Sequence, residues 1–163
     1  MRELFAKPAV GAIIEKCKED GVCILIQERY KEHEHVEKGL LEIPAGKIRE
    51  YENIYQALRR EVKEETGLDI TEIAGEEKKR TVEVNGYKVM SYEPFDCSQN
   101  FCGGYSIILQ TFLCRATGKL VKQTNETRNI HWVLKDKLKE MLEENVEMFY
   151  PMHVNTLKKY LSI

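Results

Sequence analysis

The chain has 163 residues, 42% hydrophobic and 32% charged, with a formal net charge of −2. That length and apolar content suit one sizeable core, and residues 1–163 read as a single domain because no repeat, low-complexity linker or composition break divides them. The charge balance offers no general basic surface for nucleic acid, and no apolar run approaches the ~20 residues that span a membrane.

The N-terminal MRELFAKPAVG has no signal-peptide core. The five cysteines are an odd number without metal-type pairing. Together these point to reduced thiols and a cytoplasmic setting. Cys97 and Cys102 with His33 and His35 match no common zinc spacing, so scattered thiols and a polar His-Glu-His loop are the expectation.

In chain order, Ala9–Lys16 and Val22–Glu28 read as strands, rich in Val and Ile and joined by the turn-like Lys18-Glu19-Asp20-Gly21. Tyr30–Lys38 is polar loop, and Leu40–Pro44 a short strand leading to Ala45 and Gly46. From about Asn53 to Thr66 the chain lacks proline and glycine and is rich in Ala, Leu, Glu, Gln and Arg, which predicts a helix with Gly67 as its stop. Glu72–Val84 and Tyr87–Tyr92 are expected to pair as a hairpin around Asn85-Gly86. Pro94–Gly104 reads as loop, Tyr105–Ala116 as the best central strand and Asn129–Leu134 as a further short strand. Helices follow near Lys135–Glu144 and Pro151–Leu161. The fold class is α/β (α+β).

The predicted helix at Asn53–Thr66 carries the chemistry. At about 100° per residue, Ile54, Leu58 and Val62 form one apolar stripe, yet Glu61 and Glu65 fall within it and Glu64 lies on its edge. Three acids also crowd the last turns, where the helix dipole and their mutual repulsion both act against them. A bound divalent cation would reverse the sign of each effect. Three carboxylates suit Mg²⁺ or Mn²⁺, hard ions that favour oxygen ligands.

Between Gly46 and Leu68 the chain reads GKIREYENIYQALRREVKEETGL, filling all nine fixed positions of the pattern G-x5-E-x7-R-E-U-x-E-E-x-G-U, where U is aliphatic. By this box the chain resembles the Nudix hydrolases, metal-dependent enzymes that cleave a diphosphate linked to another group. The resemblance implies the Nudix fold, a mixed β-sheet sandwiched between helices. It implies Mg²⁺, with Mn²⁺ as a substitute, held by Glu61 and Glu65, with Glu64 sharing a metal or its water and a carbonyl of Ala45 or Gly46 completing the set. Arg60 would orient the acids, and Glu52 would support the loop and helix start. Glu126, a few residues ahead of Ile130-His131-Trp132, is the expected general base, with Glu64 the fallback, and Trp132 is expected to be core packing.

The lead-in Leu41-Glu42-Ile43-Pro44-Ala45-Gly46 resembles that of ADP-ribose and nucleoside-diphosphate-sugar pyrophosphatases. This implies a small-molecule nucleotide diphosphate as substrate, ADP-ribose foremost, cleaved to AMP and ribose 5-phosphate. Two features depart from that branch: Val84 stands where its members carry a proline, and the first strand begins by about residue 9, leaving little of the N-terminal section that builds their swapped dimer. Homodimer or not is left open. Arg29, a partial echo of the coenzyme A branch, and Glu42 are expected to contact substrate. So are Tyr92, Phe95, Phe101 and Tyr105 of the long loop Ser91–Tyr105, whose rings would stack a nucleobase. A MutT-like nucleoside triphosphate pyrophosphohydrolase is the alternative. A catalytically idle nucleotide sensor is the reading from another class, and the intact acids argue against it.

Overall fold

Ala9 to Ile14 is a run of six buried residues in the first strand, β1 (Lys7–Lys18), and this strand organises the molecule. Continuous burial requires cover on both faces. Val10, Ala12 and Ile14 point to one side, while Ile13 points to the other. The computed structural model, which describes residues 2–31 and 36–163, places β1 inside a mixed sheet. Its neighbours are β2 (Gly21–Arg29), antiparallel, and β9 (Ile107–Thr117), parallel. β10 (Thr127–Leu134) extends the sheet beyond β2, and β5 (Asp69–Ile73) extends it beyond β9. Three short strands add to these: β3 (Leu41–Glu42) on β2, β4 (Ala45–Lys47) on β1 and β8 (Asp96–Gln99) on β9.

Helices cover both faces. α1 (Ile54–Thr66) buries Ile54, Leu58 and Val62 against Val10, Ala12, Leu25 and Phe112. α2 (Lys135–Glu144) and α3 (Pro151–Leu161) pack Leu138, Leu142 and Leu157 against Ile13, Ile24 and Ile26. The result is the expected mixed sheet between helices, with Trp132 half-buried against the α1 side. None of the helices among the described residues is long and apolar enough to cross a membrane.

Local signals set the ends of α1. Asn53 accepts from the N–H groups of Tyr55 (3.1 Å) and Gln56 (3.0 Å), and the Gln56 side chain accepts from the Asn53 N–H at 3.1 Å. This reciprocal capping box satisfies donors the helix leaves open. Gly67 ends the helix at φ 81°, in the left-handed region that glycine adopts without penalty.

Two expected elements differ. The single strand Glu72–Val84 is broken: its start belongs to β5 in the main sheet, a 3₁₀ turn Glu76–Lys78 follows Gly75, and only β6 (Arg80–Val84) pairs with β7 (Tyr87–Ser91). The turn seats Glu76 against Arg59, with two bonds of 2.9 and 2.7 Å. The Asn85-Gly86 turn is as expected, both residues having positive φ. The Pro94–Gly104 loop contains β8, whose residues are polar because they meet α3: Asp96 accepts from the Thr156 hydroxyl at 2.6 Å, and Ser98 lies 3.2 Å from that hydroxyl. Alternating hydrophobicity, the usual strand signal, is therefore absent there.

A Cβ on Gly67 would come within 2.9 Å of both the Lys119 carbonyl and Val121 Cγ1. Gly67→Ala is expected to lower unfolding free energy by at least about 1–2 kcal/mol from backbone strain alone. Urea denaturation measures this; an unchanged midpoint would mean the cap relaxes without cost.

Candidate active site

Glu65 is 4% exposed, on the apolar stripe of α1, where a carboxylate is costly unless it finds donors. It finds two. Its Oε2 accepts from the Ala45 N–H and from Gln27 Nε2, each at 3.0 Å. Gln27 Nε2 also donates to Glu42 Oε1 at 3.3 Å, and Glu42 Oε2 accepts from Arg29 Nη1 at 3.2 Å. Strand register produces this chain, because Gln27 of β2 lies directly opposite Glu42 of β3. Arg29 also pairs with Glu37 at 3.0 Å and stacks over the Tyr150 ring at 4.2 Å.

Burial pushes the Glu65 carboxyl well above the usual carboxylate range, and neighbouring Glu42 adds to the shift. Burial likewise raises Glu42, against the opposing charge of Arg29. Arg29 thus compensates Glu42, while the donors on Glu65, from Gln27 and Ala45, are neutral, and both carboxylates line one cleft. Such a site favours an added cation.

Arg60 organises the outer acids. It makes a two-pronged contact with Glu52, Nε at 2.6 Å and Nη2 at 2.8 Å. The same guanidinium donates to Glu61, to Glu64 at 3.2 Å and to the Lys47 carbonyl at 3.0 Å. It holds the Glu52 carboxyl down at about 2, so that residue stays charged and locks the loop before α1. Glu52 Oε2 also accepts from the Arg49 N–H at 3.0 Å, within the loop before α1. Glu61 is half-buried and its pKa is raised by burial, with Arg60 opposing. The Glu61 carboxylate lies where a Cβ on Gly46 would stand. Only glycine lets the two meet.

Among the described residues, no three His, Cys, Asp or Glu side chains form a ready-made metal cluster. Arg60 draws Glu61 and Glu64, while Gln27 and Ala45 draw Glu65. The donor set still fits a hard divalent ion: all its donors are oxygen, its innermost carboxylate is buried, and Gly46 gives the backbone close access to Glu61.

These residues line a cleft of about 970 Å³, within the range of small-molecule sites. Ala45, Gly46, Arg60, Glu61, Glu64 and Glu65 all face it. So does Glu126, on a turn whose Thr124 hydroxyl accepts from the N–H groups of Glu126 (3.1 Å) and Thr127 (3.0 Å), and Lys31 pairs with Glu126 at 3.4 Å. Arg29, Glu42 and Tyr105 also line the cleft.

The other expected substrate contacts lie elsewhere. Tyr92 packs at 6.2 Å from both Tyr55 and Phe112, on the α1 side of the core. Phe95 meets Tyr160 edge-on at 6.3 Å on the opposite face. Phe101 is 91% exposed and is not part of the cleft wall. β8 is the physical reason: by pairing with β9 it turns Phe95 inward and leaves only the end of the loop beside the cleft. Cys97 and Cys102 are exposed, and His33 and His35 lie outside the described residues.

Gln27, Tyr150, Met152 and His153 were not anticipated. Gln27 did carry a signal, as the polar residue ending the apolar run Val22–Ile26. Gln27→Leu would strip donors from two buried carboxylates and is expected to cost about 1–3 kcal/mol of stability. Denaturant titration in metal-free buffer would read it, and wild-type stability would show that Gln27 is not what holds this pair.

The NUDIX domain family model matches residues 6–152. No curated protein matches the chain. Among solved structures, a Nudix-family hydrolase from Clostridium perfringens aligns at TM-score 0.64 and 19% identity, covering 98% of each chain. A MutT protein from Methanosarcina mazei Go1 aligns at 0.58 and 22% identity, over 94% of this chain and 91% of that one. An Ap4A hydrolase of C. elegans aligns at 0.55 and 14% identity, over 96% of each. At such identities these structures speak for the fold. With the family model spanning nearly the whole chain and the box acids gathered at one cleft, this chain belongs to the Nudix family of hydrolases.

Proposed function

We propose that the protein is a divalent-metal-dependent pyrophosphohydrolase acting on a nucleoside diphosphate linked to another group, with ADP-ribose or a related nucleotide sugar as first substrate. The observation that carries this reading is the contact between Gly46 and the Glu61 carboxylate, beside buried Glu65 and at the wall of a nucleotide-sized cleft. Glu61, Glu64 and Glu65, with a carbonyl of Ala45 or Gly46, would hold Mg²⁺ or Mn²⁺. When bound, the ion neutralises phosphoryl charge and lowers the pKa of a coordinated water.

The chain's own groups do the rest. Arg60 fixes the orientation of Glu61 and Glu64. Lys47 and Arg49, on the cleft wall, meet the diphosphate. Glu126 accepts the proton of the attacking water as its oxygen bonds to phosphorus, and the bridging P–O bond breaks to release two phosphate monoesters. Glu64 is the fallback base.

A MutT-like nucleoside triphosphate pyrophosphohydrolase is the second reading. It is favoured by Val84 in place of the ADP-ribose-branch proline, and by the MutT designation of a structural neighbour. Glu42 adds to this: with both oxygens taken by Gln27 and Arg29, its role is to brace Glu65, so the lead-in by itself is a weak marker of substrate.

A release assay at alkaline pH with Mg²⁺ or Mn²⁺ tests the proposal, running ADP-ribose, nucleoside-diphosphate sugars, diadenosine polyphosphates and nucleoside triphosphates side by side. A chelator-sensitive preference with AMP and ribose 5-phosphate as products supports the first reading; inorganic pyrophosphate supports the second. Binding without turnover would favour the sensor.

Glu65→Gln is expected to reduce turnover by about 10²-fold or more at unchanged fold. Near-normal metal-dependent activity would remove Glu65 from the ligand set. Gly46→Ala should displace Glu61 and cost about 10²-fold in kcat, since misplacement of roughly 1 Å has that effect. Thermal melting checks that the fold survives, and an unchanged kcat would mean the Glu61 position is not critical.

A further inference from the structure

The cleft has a second half that the hydrolytic chemistry leaves unused. Its wall is a packed apolar cluster of Ala9, Leu109, Tyr150 and Met152, with Ile107 and Ala45 against it. Ala45 is where the halves join, since its N–H donates to Glu65. Into this apolar wall α3 inserts one polar side chain.

His153 is 1% exposed, and neither Nδ1 nor Nε2 has a hydrogen-bond partner among the described residues. Two unpaired ring nitrogens in one buried side chain are unusual, because an unsatisfied buried donor or acceptor costs about 1–3 kcal/mol. The position is firmly built. Pro151 begins α3, the Tyr150 N–H donates to the Leu41 carbonyl at 2.8 Å, and the Tyr150 ring meets the His153 ring edge-on at 5.4 Å. Burial and nearby Arg29 hold the imidazole pKa down at about 3. The ring is thus neutral at ordinary pH, with one N–H donor and one acceptor nitrogen.

We propose that His153 is a specificity-determining residue that hydrogen-bonds the edge of a nucleobase seated in the apolar half of the cleft. This rests on the nucleotide reading given above. The chemistry of the pocket selects the ligand group. A second phosphate would need positive charge, but the imidazole is neutral and Arg29 is engaged by Glu37, Glu42 and Tyr150. A sugar would set its hydroxyls against Ile107, Leu109 and Met152. A nucleobase offers apolar faces to those walls and a donor–acceptor edge to the ring. Tyr105, at the mouth of this half, provides a further aromatic surface.

The test is equilibrium binding, independent of turnover. Wild-type protein, His153→Phe and His153→Gln are titrated in Mg²⁺ buffer with AMP, GMP, CMP and UMP, and with ribose 5-phosphate as the base-free probe. Wild type is expected to bind at least one monophosphate about tenfold tighter than ribose 5-phosphate. His153→Phe, which keeps a ring without nitrogens, should lose about tenfold for that nucleotide and leave ribose 5-phosphate unchanged. His153→Gln, which keeps a donor and an acceptor, should recover part of the loss; if the Phe variant does not fold, a changed rank order of the four monophosphates in the Gln variant supports the same assignment. Equal losses for nucleotide and ribose 5-phosphate, or no loss for either, overturn it. So does a wild type that does not distinguish monophosphates from ribose 5-phosphate. Absence of diphosphate hydrolysis, by contrast, would count against the enzymatic reading and leave this measurement intact.

Discussion

Much of this molecule follows from one constraint: a carboxylate, Glu65, buried on the apolar face of the helix that should hide only hydrocarbon. It is kept there by two donors from separate parts of the sheet, the Ala45 N–H and the Gln27 side chain. Meeting both requires β2, β3 and β4 to converge under the last turns of α1. The same Gln27 amide also donates to Glu42, which is in turn held by Arg29. The buried polar chain therefore runs from the helix to Arg29 and the Tyr150 ring at the start of α3. A network of this kind is either fully satisfied or costly, so it constrains the relative positions of the elements it joins.

A second group of contacts works at the surface of the same helix. Arg60 gathers Glu52, Glu61 and Glu64 around one guanidinium, a planar fork suited to several carboxylates. Acids that would repel one another are thereby kept together. The inner acid is positioned by neutral donors and the outer acids by a cation, so the two groups differ in access to water. Glu65 is buried at the cleft wall, Glu64 is exposed, and Glu61 lies between them against Gly46. That gradient from dry to wet suits a cation that must contact protein on one side and substrate on the other.

The cleft also changes character along its length. Near the box it is lined by charged groups, Lys47, Arg49, Arg60 and Glu126 among them, while toward α3 its wall is the apolar cluster of Ala9, Leu109, Tyr150 and Met152, with His153 and the paired Arg29 beside Tyr150. Such division suits a ligand that is charged at its diphosphate and flat and weakly polar at its far end. The placement of α3 depends on its neighbours: Phe149 is buried in the core on its side of the sheet, and the Tyr150 N–H is tied to β3.

Local sequence determined α1, its caps and the spacing of its acids, because helical periodicity and capping act over a few residues. It also determined the β6–β7 turn, since Asn-Gly adopts positive φ by its own preference. Box, fold class and the outward order of elements were legible for the same reason. Tertiary structure decided what those signals leave open. The pairing of Gln27 with Glu42 is a matter of register between strands fifteen residues apart in sequence. The polar β8 exists because α3 supplies partners for Asp96 and Ser98, so no hydrophobic alternation could announce it. Tyr92 and Phe95 went to the core while Tyr105 stayed at the cleft, and His153 reached it from the last helix. Each of these outcomes rests on contacts between distant segments, and the physical advantage of such a contact exists only once the chain has brought both partners together.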